Sequence, residues 1–276
     1  MKKTWIVTGA SVGGIGEGIA RAILAKGDNA VITARSLGKL EAIAKDYPDT
    51  CLPFALDVCD RDAIKECVKA AVEKFGTVDC LINNAGYGYR SSVEEGEDKG
   101  IEDVFNTNLF GPIYMIKAVL PIMREKGAGV IMNTTSIAAE RSAIGSAYYA
   151  SSKAALDLLT DGLAKEVAPL GIKVMVIEPG AFRTNFYNDS LRGAELKIDA
   201  YKDTAWKTSK QNFVNKAQQP GDPMKAGQLI VKMAEAEDHP FRLLLGSDAV
   251  KAVTAAAQAK IDEAQKWAEE SASTDF

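Results

Sequence analysis

The chain has 276 residues, of which 47% are hydrophobic and 25% charged, with a formal net charge of −4. That is the composition of a globular protein in water, and it lacks the basic footprint that nucleic-acid binding needs. No apolar run reaches the roughly 20 residues that would cross a bilayer.

Met1 to Thr4 leads directly into an apolar run with no signal-peptide h-region, so a cytoplasmic location is expected. Cys51, Cys59, Cys67 and Cys80 lack C-x-x-C spacing, and His239 is the only histidine. Zinc coordination and a histidine-activated nucleophile are therefore not expected. Reduced, mostly buried thiols are.

The first strand is predicted at Trp5–Thr8, followed by the glycine cluster Gly9, Gly13, Gly14 and Gly16 and a helix from Gly16. Glycines there let the backbone turn tightly and approach a pyrophosphate held by the helix N-terminus, although plain turns use glycine too. A second strand, Ala30–Thr33, ends at Arg35 without an acidic residue, and a helix begins near Leu37. A third, Leu52–Leu56, runs into Asp57-Val58 and a helix from Arg61, which Asp57 could cap. The fourth, Cys80–Asn83, precedes Asn84-Ala85-Gly86, with a helix from about Gly100 that carries Asn108.

The fifth strand, Val130–Asn133, leads to Ser136, and a helix spans Ser146 to Ala168. On that helix Tyr149 and Lys153 are four residues apart and share a face, whereas Tyr148 has Ser152 at the same spacing. A free tyrosine titrates near ~10, and a neighbouring cation is expected to lower that value and make the phenol a usable acid and base. The sixth strand, Val174–Ile177, is followed by Pro179-Gly180 and Thr184.

The polar segment 185–220 shows no strand pattern and contains Tyr187, Tyr201, Trp206 and Phe213. With Phe182 and Phe186 these offer either an apolar pocket wall or the packing of a flap. A helix near Met224, a strand Phe241–Leu245 and a helical tail at about 248–270 complete the chain. The tail's stripe of Val250, Val253, Ala257, Ile261 and Ala264 suits packing on its own domain or on a second subunit. Strands alternating with helices, without repeats or linkers, predict an α/β fold, a doubly wound parallel sheet forming a single domain over residues 1–276. Ligands bind such sheets beyond the carboxyl ends of their strands.

Taken in order, the loop Thr8–Gly16, Asn83-Asn84-Ala85-Gly86, Asn108, Ser136, Tyr149 with Lys153, and Pro179-Gly180 resemble the short-chain dehydrogenase/reductase family. The resemblance runs from Thr4 to about Gly246 and departs from the family pattern once, because four residues rather than three separate Gly9 from Gly14. A one-residue insertion is read there, with Gly9, Gly14 and Gly16 in the motif roles and the contacts of Ser11, Val12 and Gly13 left open.

The resemblance implies a Rossmann fold and hydride transfer between a nicotinamide and a carbonyl or secondary alcohol. Tyr149 would be the general acid/base, Lys153 its cationic partner, Ser136 the carbonyl-polarising donor, and Asn108 the holder of a water that links Lys153 to solvent. Cofactor contacts carry over to Gly9, Ser11, Gly14, Ile15, Gly16, Arg35, Asp57, Val58, Asn84, Ala85, Gly86, Tyr149, Lys153, Pro179, Gly180 and Thr184. Arg35 favours NADP(H) over NAD(H), since a guanidinium suits a 2′-phosphate. A solvated Arg35 is the plain alternative. A small, apolar ketone, aldehyde or steroid-like substrate and a homodimer or homotetramer are expected. Presence of both Tyr149 and Lys153 argues against a catalytically silent binding protein. The short span after Thr184 argues against an epimerase with a larger substrate domain.

Overall fold

In the computed structural model, which describes residues 2–207 and 218–276, a seven-stranded parallel sheet forms the centre. Its strands are β1 (Thr4–Val7), β2 (Asn29–Ala34), β3 (Cys51–Ala55), β4 (Cys80–Asn83), β6 (Gly129–Thr134), β7 (Ile172–Pro179) and β9 (Arg242–Leu245), in the order β3-β2-β1-β4-β6-β7-β9. Alternation of side chains across the pleat divides β1 between two cores. Trp5 and Val7 join Ile19, Ile23 and Ile230 on one face, while Ile6 joins Ile64, Met115 and Leu163 on the other. The order reverses at β1 and β4, so their carboxyl ends open the crevice where ligands of Rossmann-like sheets bind.

Helices cover both faces: α1 (Ile15–Ala25), α2 (Glu41–Ala44), α3 (Arg61–Phe75), α4 (Asp98–Phe105), α5 (Gly111–Lys126) and α6 (Ala147–Val167), with further ones beyond β7. Asp60, not Asp57, caps α3 by accepting from the Asp62 and Ala63 amides at 3.0 Å. The helix expected near Gly100 runs on from α4 through a π-helical turn, Asn106–Phe110, into α5. Pro112 lacks the N–H that would satisfy the Asn108 carbonyl in α-helical register. The ladder widens instead, and the Gly111 amide donates to Asn106 five residues back. Such turns recur at functional sites.

Segment 185–220 departs from its strandless reading. It forms α7 (Phe186–Asp189) and a three-residue strand, β8 (Leu191–Gly193), which pairs in parallel with β5 (Gly88–Arg90). Three residues are too few for a period of two to register in a sequence. Beyond it come α8 (Pro223–Glu235), α9 (Ser247–Lys266) and α10 (Ala268–Ala272). On α9 only Ala249 and Ala256 are buried, so the predicted stripe stays open to solvent, with Val250 at 50% and Ile261 at 48% exposure. Cys51, Cys67 and Cys80 are buried and Cys59 is exposed. No helix among the described residues is long and apolar enough to cross a membrane.

Candidate active site

A cavity of about 1040 Å³ lies at the carboxyl ends of the strands. Of the catalytic and cofactor-contact residues expected from the resemblance, all line it except Gly16 and Asn108. Gly16 lies one layer deeper, where an added Cβ would come 2.6 Å from Asn84 Nδ2 and 2.9 Å from Ala10 Cα. Asn108 is fully buried behind the wall. Its Oδ1 accepts from the Tyr87 amide at 3.0 Å, and its Nδ2 donates to Tyr87 O at 2.9 Å and to Ser152 Oγ at 3.1 Å. The π-helical turn aims this amide at the Gly86–Tyr87 backbone, and Asn106 is the one that lines the cavity.

The ends of β1 and β4 are locked together. Thr8 Oγ1 accepts from the Asn84 and Ala85 amides, and Asn84 Nδ2 donates to Thr8 O and Gly9 O, all at 3.0 Å. Gly9, at φ +67°, is in the left-handed region, and a Cβ there would come 2.7 Å from Ala85 Cα. Gly14 precedes α1 without any side-chain cap, which leaves first-turn amides available to an anion. Gly13, whose contacts the sequence left open, donates its amide to Glu17 Oε2 at 2.8 Å and accepts at its carbonyl from the Asn185 amide at 2.8 Å. Gly13 thus ties the glycine loop to the segment beyond Thr184.

Lys153 projects into the same cavity because α6 is held in register from within the core. Asn83 Nδ2 donates to Asn133 Oδ1, whose Nδ2 donates to Thr160 Oγ1, each at 2.9 Å. Thr160 is two turns beyond Lys153 on the same buried face. Lys153 is 4% exposed and donates from Nζ to the Thr134 carbonyl at 2.8 Å. Burial pushes its ammonium down to about 8.

Tyr149 departs from the sequence expectation. Desolvation pushes its phenol up to about 12, opposed by the Ser136 hydroxyl and, more weakly, by the charge of Arg90. Lys153 is spent on Thr134 and is not among the groups that lower the phenol. Spacing on a helix brings the two side chains to one face but does not choose their partners. Ser136 also caps the short turn that follows it, its Oγ accepting from the Ala138 amide at 3.1 Å. Tyr148 turns away and donates to Val93 O at 2.7 Å.

Arg35 is exposed at the end of β2, with Ser36 and Lys39 beside it on the cavity wall. Asp57 is exposed, and Val58 packs behind it where Gly111 leaves room for its side chain. Pro179 ends β7. The next turn is held by Asp248 of α9, which accepts from the Ala181 amide at 2.6 Å. Nothing local in sequence pointed to Asp248, because it is 67 residues away.

The aromatic residues divide between both expected roles. Phe186 and Tyr187 line the cavity, Phe186 packing 6.0 Å from the Tyr149 ring, and Phe182 lines it while packing into the core. Tyr201 and Trp206 anchor the flap through Glu94 and Glu95, and Phe213 lies outside the described residues. Glu95 is the central anchor. Its carboxylate accepts from Ser92 Oγ and Trp206 Nε1 at 2.6 Å, and from the Lys197 and Ile198 amides at 2.6 and 2.8 Å. These donors outweigh desolvation and hold the carboxyl down at about 2.

A depressed carboxyl stabilises its folded form above the ordinary value of 4.5 and loses that contribution as pH falls toward about 2. Glu95→Gln sets an amide N–H₂ against at least one of these donors. Cleavage of the 194–207 segment by a protease under native conditions is expected to rise roughly tenfold, with unchanged cleavage counting against the anchor.

The short chain dehydrogenase family matches residues 3–194. A short-chain dehydrogenase from Streptomyces avermitilis superposes with a TM-score of 0.92 at 39% identity, covering 100% of this chain and 99% of that one. An alcohol dehydrogenase from the archaeon Thermococcus sibiricus, complexed with 5-hydroxy-NADP, aligns at 27% identity and a TM-score of 0.71 over 89% and 96% of the two chains. The 3-ketoacyl-(acyl-carrier-protein) reductase from Brucella melitensis, complexed with NADH, aligns at 26% identity and 0.75 over 90% and 98%. Fold and site define a nicotinamide-dependent oxidoreductase. The chain belongs to the short-chain dehydrogenase family.

Proposed function

We propose that the chain is an NADP(H)-dependent oxidoreductase that interconverts a small ketone or aldehyde and its alcohol, with Tyr149 as general acid/base. What carries this reading is the meeting of Ser136, Tyr149 and the Lys153 ammonium in one cavity with an uncapped glycine-loop helix. The residues present fit a dinucleotide: Gly9 leaves no space a Cβ could occupy, and α1 offers free amides to a pyrophosphate. Arg35, Ser36 and Lys39 would hold a 2′-phosphate, and no acidic residue follows β2 to repel it.

When bound, the nicotinamide exchanges a hydride with the carbonyl carbon. Tyr149 gives its phenolic proton to the carbonyl oxygen as charge develops there, and Ser136 stabilises that oxygen as a donor. Lys153, cationic below about 8 and restrained by Thr134, adds a positive charge to the same cavity wall. Asn108 acts through structure: it fixes the Gly86–Tyr87 backbone against α6 by way of Ser152.

A carbonyl and alcohol panel followed at 340 nm with each cofactor tests the reading, and no turnover of any carbonyl or alcohol would end it. Arg35→Ala is expected to weaken NADPH binding about 10- to 100-fold while leaving NADH nearly unchanged, as loss of a charge-assisted phosphate contact implies. Equal effects on both cofactors in a fluorescence titration would remove the phosphate assignment.

A further inference from the structure

Two arginines line the cavity on the side of the small sheet, and neither is needed by the reaction described above. Arg90 ends β5, and Arg192 lies one strand away on β8, in register with Tyr89. Backbone bonds hold this ladder in place: the Gly88 amide donates to Ser190 O at 2.8 Å and the Ala194 amide to Arg90 O at 3.0 Å. An added Cβ at Gly193 would come 3.2 Å from Arg90 Cβ, so the residue opposite Arg90 must stay small.

The surroundings of Arg90 are unusual for a guanidinium. It is half-buried, and desolvation is the largest influence on it, pushing its pKa down. Its one hydrogen bond among the described residues is a long one, 3.4 Å, from Nη1 to the Ile144 carbonyl. No carboxylate ion-pairs with it among the described residues, and the ionisable groups acting on it are the phenols of Tyr187 and Tyr149, neutral at pH 7. Two other partly buried arginines are matched: Arg21 pairs with Glu17 and Asp46, and Arg242 with Asp157, Glu178 and Glu140. Arg192 stacks its guanidinium 4.6 Å over the Tyr87 ring and likewise has no ion pair among the described residues.

A desolvated cation without a counter-charge is costly, and the cost is recovered when an anion arrives. Arg90 and Tyr149 line the same cavity, so the anion would lie in the space that holds the carbonyl Tyr149 serves. Phe186 and Tyr187 supply apolar wall for the rest of the molecule. We infer that this pocket selects carbonyl substrates that bear a carboxylate, an oxo acid or the corresponding hydroxy acid, with Arg90 as the carboxylate-binding residue and Arg192 as a second positive charge at the wall.

This inference rests on the oxidoreductase reading and sharpens its substrate class. Its test compares 2-, 3- and 4-oxo acids with their methyl esters, and dihydroxyacetone phosphate with dihydroxyacetone, under saturating NADPH. The acid of at least one pair is expected to exceed its ester by tenfold or more in kcat/KM. Arg90→Met is expected to reduce that ratio about 10- to 150-fold, as loss of a charged hydrogen bond implies. Arg90→Lys should recover part of it. Preference for the phosphate pair alone would overturn the carboxylate assignment. A fall in NADPH affinity with an intact acid preference would assign Arg90 to the cofactor instead. Calorimetric titration of the same oxo acids and esters into the NADP⁺-loaded protein reads binding without turnover, since the oxidised cofactor has no hydride to give. Acid binding lost in Arg90→Met would support the site even if no carbonyl is reduced, and equal binding of acid and ester would overturn it.

Discussion

Tyr149→Phe is expected to lower kcat by about 10³-fold, within the ~10²–10⁴ that a positioned proton donor contributes. NADPH affinity should stay within a few fold. The substitution keeps the ring, so the 6.0 Å packing against Phe186 survives and only the hydroxyl that shares the cavity with Ser136 is lost. Proton inventory sets the direction in which the loss is felt most. At pH 7 the phenol, held up at about 12, carries its proton, and Lys153, at about 8, carries its charge. The cofactor-free protein is therefore ready to donate, which suits carbonyl reduction. In the wild type, kcat/KM for reduction should be level below pH 7 and fall as pH rises through about 8, where Lys153 loses its charge from the cavity wall. In the oxidation direction Tyr149 must release its proton first, so the oxidative rate should rise with pH until the Lys153 charge is lost. Stopped-flow single-turnover reduction separates chemistry from product release. Near-normal turnover in Tyr149→Phe would remove the tyrosine from the mechanism.

The strands were legible because most are short apolar runs and the sheet is covered on both faces, so Trp5–Val7, Ala30–Ala34 and Val174–Ile177 read as nearly unbroken apolar runs. The site was legible where chemistry lies in local spacing, as for Gly9, Gly14 and Gly16 or Tyr149 and Lys153. It was not legible where a partner comes from far along the chain. Asp248 holds the turn after β7, Glu95 ties down Lys197 and Trp206, and Arg90 gains its setting only when β8 pairs with β5. Asn108 shows a different limit. Its identity could be read from spacing, but whether it faces the cavity depends on a π-helical turn that a 3.6-residue period does not reveal. Tyr149 shows a third, since helix spacing predicts neighbours and desolvation decides titration.

Gly18 carries the largest expected effect on stability. It lies in the interior of α1, where glycine ordinarily costs about 1 kcal/mol relative to alanine. Here the helix backbone of α1 lies directly on α8. A Cβ at Gly18 would overlap the Pro223 carbonyl oxygen and come 2.8 Å from its carbon, and one at Gly227 would overlap the Gly18 carbonyl. Both obstacles are main chain, so no side chain can rotate aside, and the helices would have to separate. Separation opens the core shared by Ile19, Ile23, Ile230 and Val231, all buried at this contact. Gly18→Ala is expected to cost about 2–4 kcal/mol, above the usual ~1–3 for overpacking because backbone must move. That corresponds to a fall in Tm of roughly 3–7 °C for a chain of this size. Gly162, inside α6 with nothing within 4 Å of an added Cβ, provides the opposite sign: Gly162→Ala should raise Tm by a few degrees. The α1 shift also displaces Gly14 and Gly16 one turn upstream, so Gly18→Ala should weaken NADPH binding in the fraction that stays folded. A Gly18→Ala protein as stable as the wild type, measured beside Gly162→Ala by calorimetry, would show that the α1–α8 crossing does not require glycine.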